Sequence, residues 1–260
     1  MVSLQRAASR PRETLRPLIA RTTRIPKEDV LRFLADRVGM PRFYYRSRGF
    51  ALAGAGIAAE VRATGPKRFE AVREKSDRAL AAMGAEYQPG VPKDVGPVWM
   101  GGFSFEEETA GPDATAFPSA RFILPEWQLR VQADGTYRTH IAPAGAPETS
   151  LASRRTNPKP SVPTWHSDVD EHEWSRRVRS ALQRIRNGDA EKVVLARSVR
   201  TELLTEPDLA AILGRLQSLT PQSTLFLMEP EPGHAWLGAS PELLLRRSQG
   251  RLETAALAGS

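Results

Sequence analysis

Hydrophobic and polar residues alternate in many short segments of the chain, and this two-residue period is typical of β-strands. Turn signals separate several of these segments; Asp134-Gly135, for example, favours a tight hairpin turn. The segments with this pattern are Leu18–Ile25, Phe43–Tyr45, Phe50–Ile57, Val98–Phe105, Phe122–Val131, Tyr137–Ile141, Lys192–Val199, Thr224–Met228, Ala235–Ala239, Leu243–Arg247 and Leu252–Leu257. The last two are predicted to form a hairpin that turns at Ser248–Gly250, in preference to a helix over Leu243–Arg247.

Hydrophobic residues spaced three or four apart predict helices elsewhere, each with one apolar face. We expect helices over Pro26–Val38, Pro66–Met83 and His172–Asn187, and a fourth that begins at Thr205 or Asp208 and runs to Leu216. The face expected to be buried in the second helix contains Phe69, Val72, Ala79, Leu80 and Met83, and that in the third contains Trp174, Val178, Ala181, Leu182 and Ile185. Glycine follows the second and third helices, as it commonly does at helix ends.

A proline-rich segment divides the chain. Residues 142–164 contain five prolines among small polar residues, which predicts a linker or a long surface crossover. We expect a basic tail over 1–16, an N-terminal α+β region over 17–141, and the first part of a second region over 165–260. Because Leu252–Leu257 would leave an unpaired apolar strand at the end of the chain, we expect the chain to be part of a longer protein.

Composition excludes several classes of protein. The 260 residues contain no cysteine, which rules out a disulfide scaffold, a thiol nucleophile and a cysteine-ligated zinc site. No uncharged run approaches the roughly 18 apolar residues of a membrane-spanning helix, and no secretory signal is present, so we expect a cytoplasmic protein with no membrane partner. The net charge of +7 lies in residues 1–50, which carry a net of +8, so the sequence predicts no nucleic-acid-binding face.

Two glycine-containing motifs have structural explanations. Residues 54–59 fit the G-x-G-x-x-A pattern of a dinucleotide site, but no helix pattern opens there, so we interpret them as part of a strand. Residues 238–242 resemble the turn that carries a hydrolase serine, but the final glycine is missing and proline follows Ser240. Neither motif predicts the corresponding activity.

Acidic residues and histidines also gather at the start of the third predicted helix. His166 and His172 flank Asp168, Asp170 and Glu171, a composition that could hold a metal ion. Carboxylates at a helix N-terminus are more often there because they interact favourably with the helix dipole. We therefore favour the helix-start explanation over a metal cluster.

Lys192 and Glu242 are the candidate acid–base residues. Lys192 opens the apolar segment 192–199 and is either a charge at a sheet edge or a desolvated amine that could act as a base. Glu242 precedes three leucines, and a carboxyl group in apolar surroundings can act as a general acid. From the residues alone the surface-charge explanation is the commoner one for both.

At these positions the sequence resembles the chorismate-binding enzymes, which include isochorismate synthase, salicylate synthase and component I of anthranilate and aminodeoxychorismate synthases. The resemblance rests on Glu191–Arg197, Leu237–Leu244 and Ala256–Ser260, which occur in the family's order and approximate spacing. Trp99–Phe105 and Leu124-Pro125 also resemble the family's N-terminal region. The implied fold is α+β, with two large antiparallel β-sheets packed together and helices outside.

Lys192 decides the subfamily that the resemblance implies, because the ammonia-using relatives typically have glutamine there. The implied activity is that of an isochorismate synthase, which converts chorismate to isochorismate. Lys192 would be the general base that activates water, Glu242 the general acid, and Gly259 and Ser260 would lie near the substrate. Mg²⁺ is the implied cofactor and would hold the substrate carboxylate.

Family members continue well beyond the position of Ser260, so the resemblance implies that the chain stops before the C-terminal half of the catalytic core. The metal-binding glutamates are expected in that half, and none is assigned in this chain. We therefore expect these 260 residues alone to be inactive and to expose apolar surface. The alternatives are a salicylate synthase or another chorismate-utilising enzyme, a non-catalytic remnant or interaction protein, and nucleic-acid binding through the basic N-terminus. The sequence carries no signal for oligomeric state or for a menaquinone, siderophore or salicylate pathway.

Overall fold

The structure is a computed structural model that describes residues 17–109, 114–146, 164–243, 245–248 and 250–254. These residues fall into two compact units, one from the described residues within 17–146 and 209–254 and the other from residues 164–208. Residues 209–254 therefore belong to the same unit as the N-terminal region, although the proline-rich segment separates the two in the sequence. The domain boundaries expected from the sequence stay a prediction.

The helices and strands are short. In chain order the strands are β1 (Leu18–Ile25), β2 (Arg42–Ser47), β3 (Phe50–Ala55), β4 (Ala59–Ala63), β5 (Gly84–Tyr87), β6 (Met100–Phe103), β7 (Ala120–Leu124), β8 (Trp127–Gln132), β9 (Gly135–Pro143), β10 (Thr164–Ser167), β11 (Val199–Glu202), β12 (Thr224–Glu231), β13 (His234–Ser240), β14 (Arg246–Ser248) and β15 (Arg251–Glu253). The helices are α1 (Val30–Ala35), α2 (Arg68–Ala81), α3 (Glu171–Arg186) and α4 (Leu209–Leu219), with a single 3₁₀ turn over Lys93–Val95.

The first unit is built on an eight-stranded sheet with the order β13-β12-β2-β3-β8-β9-β1-β5. All its neighbouring strands are antiparallel except β1 and β5. A three-stranded antiparallel sheet has the order β4-β7-β6, and β14 and β15 form a separate hairpin. This architecture confirms the predicted α+β class.

Helices cover one face of the large sheet and the small sheet covers the other. Phe33 and Leu34 of α1 and Leu213 of α4 pack with Leu129 and Leu225 of the large sheet in the main core. On the opposite face, a second cluster joins Phe43 and Leu52 of the large sheet to Met100 and Ile123 of the small one. The alternation of inward and outward side chains along β2 and β3 supplies both clusters.

Two segments of the first unit differ from the prediction, one at a proline and the other at a helix cap. The predicted strand Phe122–Val131 is divided into β7 and β8 at Pro125, which lacks the N–H that a continuous strand would need. The predicted helix Pro26–Val38 is only α1, because the Asp29 side chain accepts a hydrogen bond from the Arg32 amide at 2.7 Å and begins the helix there. Phe69, expected inside, is 51% exposed.

The second unit differs more from expectation. Only Val199 of the predicted strand Lys192–Val199 lies in a strand, β11, which pairs with β10. The apolar face of α3 is present, yet no residue of that helix is buried. A single helix and a two-stranded ribbon offer too little surface to cover such a face. Among the described residues, no helix is both long and apolar enough to cross a membrane.

Candidate active site

The hairpin of β12 and β13 positions the candidate acid. Among the described strands β13 lies at one edge of the eight-stranded sheet, and it ends at Ser240. Pro241 follows, and Glu242 lies exposed one residue further on. The Ser240 hydroxyl donates a hydrogen bond to the Glu242 carbonyl oxygen at 3.4 Å. That hydroxyl is therefore engaged with the main chain, and no helix starts at this position.

Gly238 in the motif before Glu242 allows a close approach to a ring on the neighbouring strand. Gly238 is the cross-strand partner of Phe226 in β12. A Cβ atom at Gly238 would lie 2.8 Å from Cζ of that ring, closer than Cβ contacts occur. Leu237 and Ala239, the neighbours of this glycine, pack against the main core. One face of the hairpin thus packs against the core, and on the other face the ring fits against Gly238 within the hairpin itself.

A buried ion pair anchors the hairpin at its other end. Nε of Arg42 in β2 lies 2.5 Å from Oε2 of Glu229 in β12, and each side chain is 5% exposed. Arg42 also donates to the Leu34 carbonyl oxygen at 3.2 Å, and Glu229 accepts from the Gly233 amide at 3.2 Å. The sequence analysis did not identify this pair. The feature that could have indicated it is the carboxylate of Glu229 directly after the apolar run of residues 225–228.

Lys192 lies in the second unit, in the irregular segment between α3 and β11. Its side chain is exposed, and so are its neighbours in this segment, with Val194 at 82%. Because no strand forms around Lys192, the expected alternation of faces does not apply. The choice between a surface charge and a catalytic base stays open for Lys192.

Two of the four predicted site residues lie in different units, and the other two are not described by the structure. Lys192 belongs to the second unit and Glu242 to the first, and each is described within its own unit. Gly259 and Ser260 lie outside the described residues. The assignment of these four residues to one site stays a prediction.

The acidic cluster at the start of α3 has local structural roles. Asp170 caps the helix by accepting a hydrogen bond from the Glu173 amide at 2.7 Å. Hydrogen bonds from the Ser198 main chain and hydroxyl lower the pKa of the Asp168 carboxyl from its ordinary value. Within the described part of the chain, no three His, Asp or Glu side chains converge as metal ligands would. The helix-start explanation is the one that these contacts support.

The glycine-rich segment 54–59 also has a structural role. Gly54 lies within β3, and a Cβ atom there would lie 2.5 Å from Cγ of Pro125. Gly56 has a φ of +72° at the turn into β4. A strand, not a helix, follows this turn, so the helix N-terminus that a dinucleotide phosphate needs is not formed.

Comparisons with known proteins place this geometry in a family. The sequence matches the chorismate-binding enzyme family over residues 3–260. It is 30% identical over 188 residues to the isochorismate synthase MenF of Bacillus subtilis, covering 64% of this chain and 38% of that protein. It is 28% identical over 284 residues to the salicylate biosynthesis isochorismate synthase of Pseudomonas aeruginosa, covering 99% of this chain and 57% of that protein.

The fold agrees with a solved structure. The menaquinone-specific isochorismate synthase MenF of Escherichia coli superimposes with a TM-score of 0.65 at 19% identity, covering 89% of this chain and 52% of that one. The chain thus spans about half the length of the relatives it matches. The sequence motifs, the fold and the family match agree, and the chain belongs to the chorismate-binding enzymes.

Proposed function

We propose that the chain supplies the N-terminal part of an isochorismate synthase. The observation that carries this proposal is Lys192 within the motif Glu191–Arg197, because the ammonia-using relatives typically have glutamine at that position. Two relatives that the chain matches are named isochorismate synthases, one of them in salicylate biosynthesis. The proposed reaction is the conversion of chorismate to isochorismate.

Each acid–base residue has one proton to move in this reaction. The Lys192 amine takes a proton from a water molecule as its oxygen bonds to C2 of chorismate. The ring double bonds shift, and the bond between C4 and its hydroxyl breaks. Glu242 gives its proton to the departing hydroxyl, which leaves as water. One water molecule enters and one leaves, so the product is an isomer of the substrate.

Magnesium belongs to the proposal through the family resemblance, and it would hold the substrate carboxylate. The described residues do not fit a magnesium site, because no three carboxylate or imidazole groups converge among them. We propose that its ligands come from the half of the relatives that this chain does not span. We assign the two proton transfers to Lys192 and Glu242 and neither of them to the metal.

The proposal predicts that the purified chain does not convert chorismate. We would assay it with chorismate and Mg²⁺, alone and completed by the C-terminal part of the Bacillus subtilis relative, and identify the product by mass. Isochorismate from the completed enzyme only is the expected result. Isochorismate from the 260 residues alone would overturn the inactivity, and release of pyruvate would favour salicylate synthase. Absence of chorismate binding by either form would favour a non-catalytic remnant.

Substitutions in the completed enzyme test the two roles. Lys192→Ala and Glu242→Ala should each lower kcat by at least about 100-fold, the usual contribution of a positioned acid or base. The exposed residues Lys67 and Glu206 provide the matched alanine controls, which should retain activity. Retention of full activity by Lys192→Ala would withdraw the assignment of the base.

A further inference from the structure

The central residues of β12 are apolar on both faces. Leu225 and Leu227 point into the main core, while Phe226 and Met228 lie on the other face. Because side chains alternate along a strand, a slip of one residue exchanges the two faces, and here it would replace apolar residues by apolar residues. The hydrophobic pattern therefore specifies the register of β12 on β2 only weakly.

Two ion pairs of β12 specify this register, Arg42 with Glu229 and Arg121 with Glu231, and the first is the more deeply buried. Arg42 and Glu229 are direct cross-strand partners in the observed register, and both are buried. The Leu34 carbonyl and the Gly233 amide complete their hydrogen bonding. Any slip would separate the two side chains and leave buried charges unpaired, which is strongly unfavourable. A buried polar group that selects one register is the best-supported use of such groups.

The register of β12 is passed on to β13. Phe226 and Gly238 face each other, and the close approach of the ring to Gly238 favours this pairing. At the other end the hairpin turns at Gly233, which has a φ of +85°, after an irregularity between Met228 and Glu231. The two strands therefore move together along β2, and the segment after Ser240 moves with them.

We propose that Arg42 and Glu229 are positioning residues for Glu242, because their ion pair sets the register of the β12–β13 hairpin on β2. The inference rests on the proposed function, which makes Glu242 the general acid. A slip of one residue would move the end of β13 by about 3.3 Å along the strand. Misplacement by about 1 Å can already cost 100-fold in rate, so the register of this hairpin decides whether the acid reaches its substrate.

Engineered disulfides measure the register directly, because the chain contains no cysteine of its own. Tyr45 and Phe226 are cross-strand partners in the observed register. The pair Tyr45→Cys with Phe226→Cys therefore reports that register. Tyr45→Cys with Leu225→Cys, or with Leu227→Cys, reports slips of one residue in either direction. Only directly opposed residues reach the Cβ separation of about 3.8 Å that a disulfide needs. Each pair is oxidised in the purified chain, and the cross-linked fraction is read by mass.

The same three cysteine pairs are then placed in the variant Arg42→Met/Glu229→Leu, which keeps the volume and removes the charges. In the parent chain we expect the 45–226 cross-link to exceed the others at least about tenfold, which corresponds to about 1.4 kcal/mol of register preference. In the apolar variant we expect this preference to fall below about threefold. An unchanged preference would overturn the inference.

Arg21 and Glu86 provide the matched control. They are also cross-strand partners joined by an ion pair, at 2.9 Å, but their side chains are 41% and 58% exposed. Arg21→Met/Glu86→Leu should leave the 45–226 preference unchanged.

If the apolar variant at Arg42 and Glu229 fails to fold, two milder variants replace it. Glu229→Gln removes one charge at constant size, and Arg42→Lys retains the charge. We expect Glu229→Gln to lose the preference for the 45–226 cross-link and Arg42→Lys to retain it. An unchanged preference in Glu229→Gln contradicts the inference.

A kinetic readout separates positioning from stability in the completed enzyme. Arg42→Met/Glu229→Leu should lower kcat at least about tenfold with little change in KM, whereas the Arg21 and Glu86 control should not. Equal kcat in the two double variants would overturn the positioning role. An enzyme that is active without the Glu242 carboxyl would instead overturn the proposed function, and the cross-linking result would stand.

Discussion

Arg121 of β7 donates from Nη1 to Oε1 of Glu231 in β12 at 2.9 Å, and this contact joins the three-stranded sheet to the eight-stranded one. The same guanidinium donates from Nε to Oε1 of Glu60 at 2.6 Å and from Nη1 to the Ala116 carbonyl at 2.8 Å. Its side chain is only 3% exposed. The hairpin that leads to Glu242 is therefore tied to both sheets.

Removal of the Arg121 guanidinium should destabilise the chain strongly. Arg121→Ala removes a buried guanidinium and its hydrogen bonds to Glu60, Glu231 and the Ala116 carbonyl, so we expect the free energy of unfolding to fall by about 2 kcal/mol. Urea denaturation followed by circular dichroism measures this change. Arg62 contacts the same two carboxylates, at 2.7 and 3.9 Å, but is 43% exposed. Arg62→Ala should therefore cost less than about 1 kcal/mol, and equal losses in the two variants would contradict the assigned role of Arg121.

Two adjacent glycines in β6 should respond differently to alanine. A Cβ atom at Gly101 would collide with the carbonyl oxygen of Arg121 and lie 2.6 Å from Cα of Phe122, both main-chain atoms of β7. Gly101→Ala should therefore lower the free energy of unfolding by about 2 kcal/mol or more, as overpacking does. A Cβ atom at Gly102 meets nothing within 4 Å. Thermal unfolding of both variants is the measurement, and a stable Gly101→Ala variant would show that β6 and β7 can separate.

Tyr44 should make the fold sensitive to alkaline pH. Burial raises the pKa of the Tyr44 phenol to about 12 from 10.0. The folded state favours the neutral phenol, so this contribution to stability is complete below pH 10 and is lost as the pH rises towards 12. Urea denaturation at increasing pH should show this loss, and Tyr44→Phe should reduce it. Tyr45→Phe is the control and should keep the loss, because the Tyr44 phenol remains. Identical profiles in all three proteins would refute the assignment.

The second unit should be a source of self-association. Val194 and Leu204 are 82% and 89% exposed, and exposed apolar clusters favour aggregation. The double variant Val194→Ser/Leu204→Ser should remain monomeric at higher concentration in light scattering, with a change in the free energy of unfolding within about 0.5 kcal/mol. Val169→Ala removes a side chain that is only 5% exposed and should lower the stability by about 2 kcal/mol. Aggregation unaltered by the serine substitutions would assign the association to another surface.

Local patterns predicted most strands of the first unit. The segment Leu18–Ile25 is β1 with identical bounds, and the Asp134-Gly135 turn connects β8 to β9 as expected. A hairpin over Leu243–Arg247 and Leu252–Leu257 was also predicted, and β14 and β15 form a hairpin there with strands of three residues each. β4 and β5 were missed because they are short and partly polar, so their own residues do not show the alternation. They are strands because β7 and β1 provide hydrogen-bonding partners.

The same reasoning was wrong where an apolar pattern found no partner in the described residues. The face of α3 has the helical spacing, and Val193 to Leu195 have strand-like composition, yet these side chains remain exposed or half-buried. Periodicity indicates which face would be buried. It does not state whether a neighbouring surface is there to cover it.

The sequence by itself determined the family and indicated most strands of the first unit, because motifs and hydrophobic alternation depend on residues that are close together along the chain. It also supplied Lys192 and Glu242 as candidates. Only the tertiary structure decided the order of the strands and the contacts that hold the hairpin before Glu242. Arg42 and Glu229 are 187 residues apart in sequence. No local pattern relates them, and only the pairing of β2 with β12 brings their charges together in a place from which water is excluded.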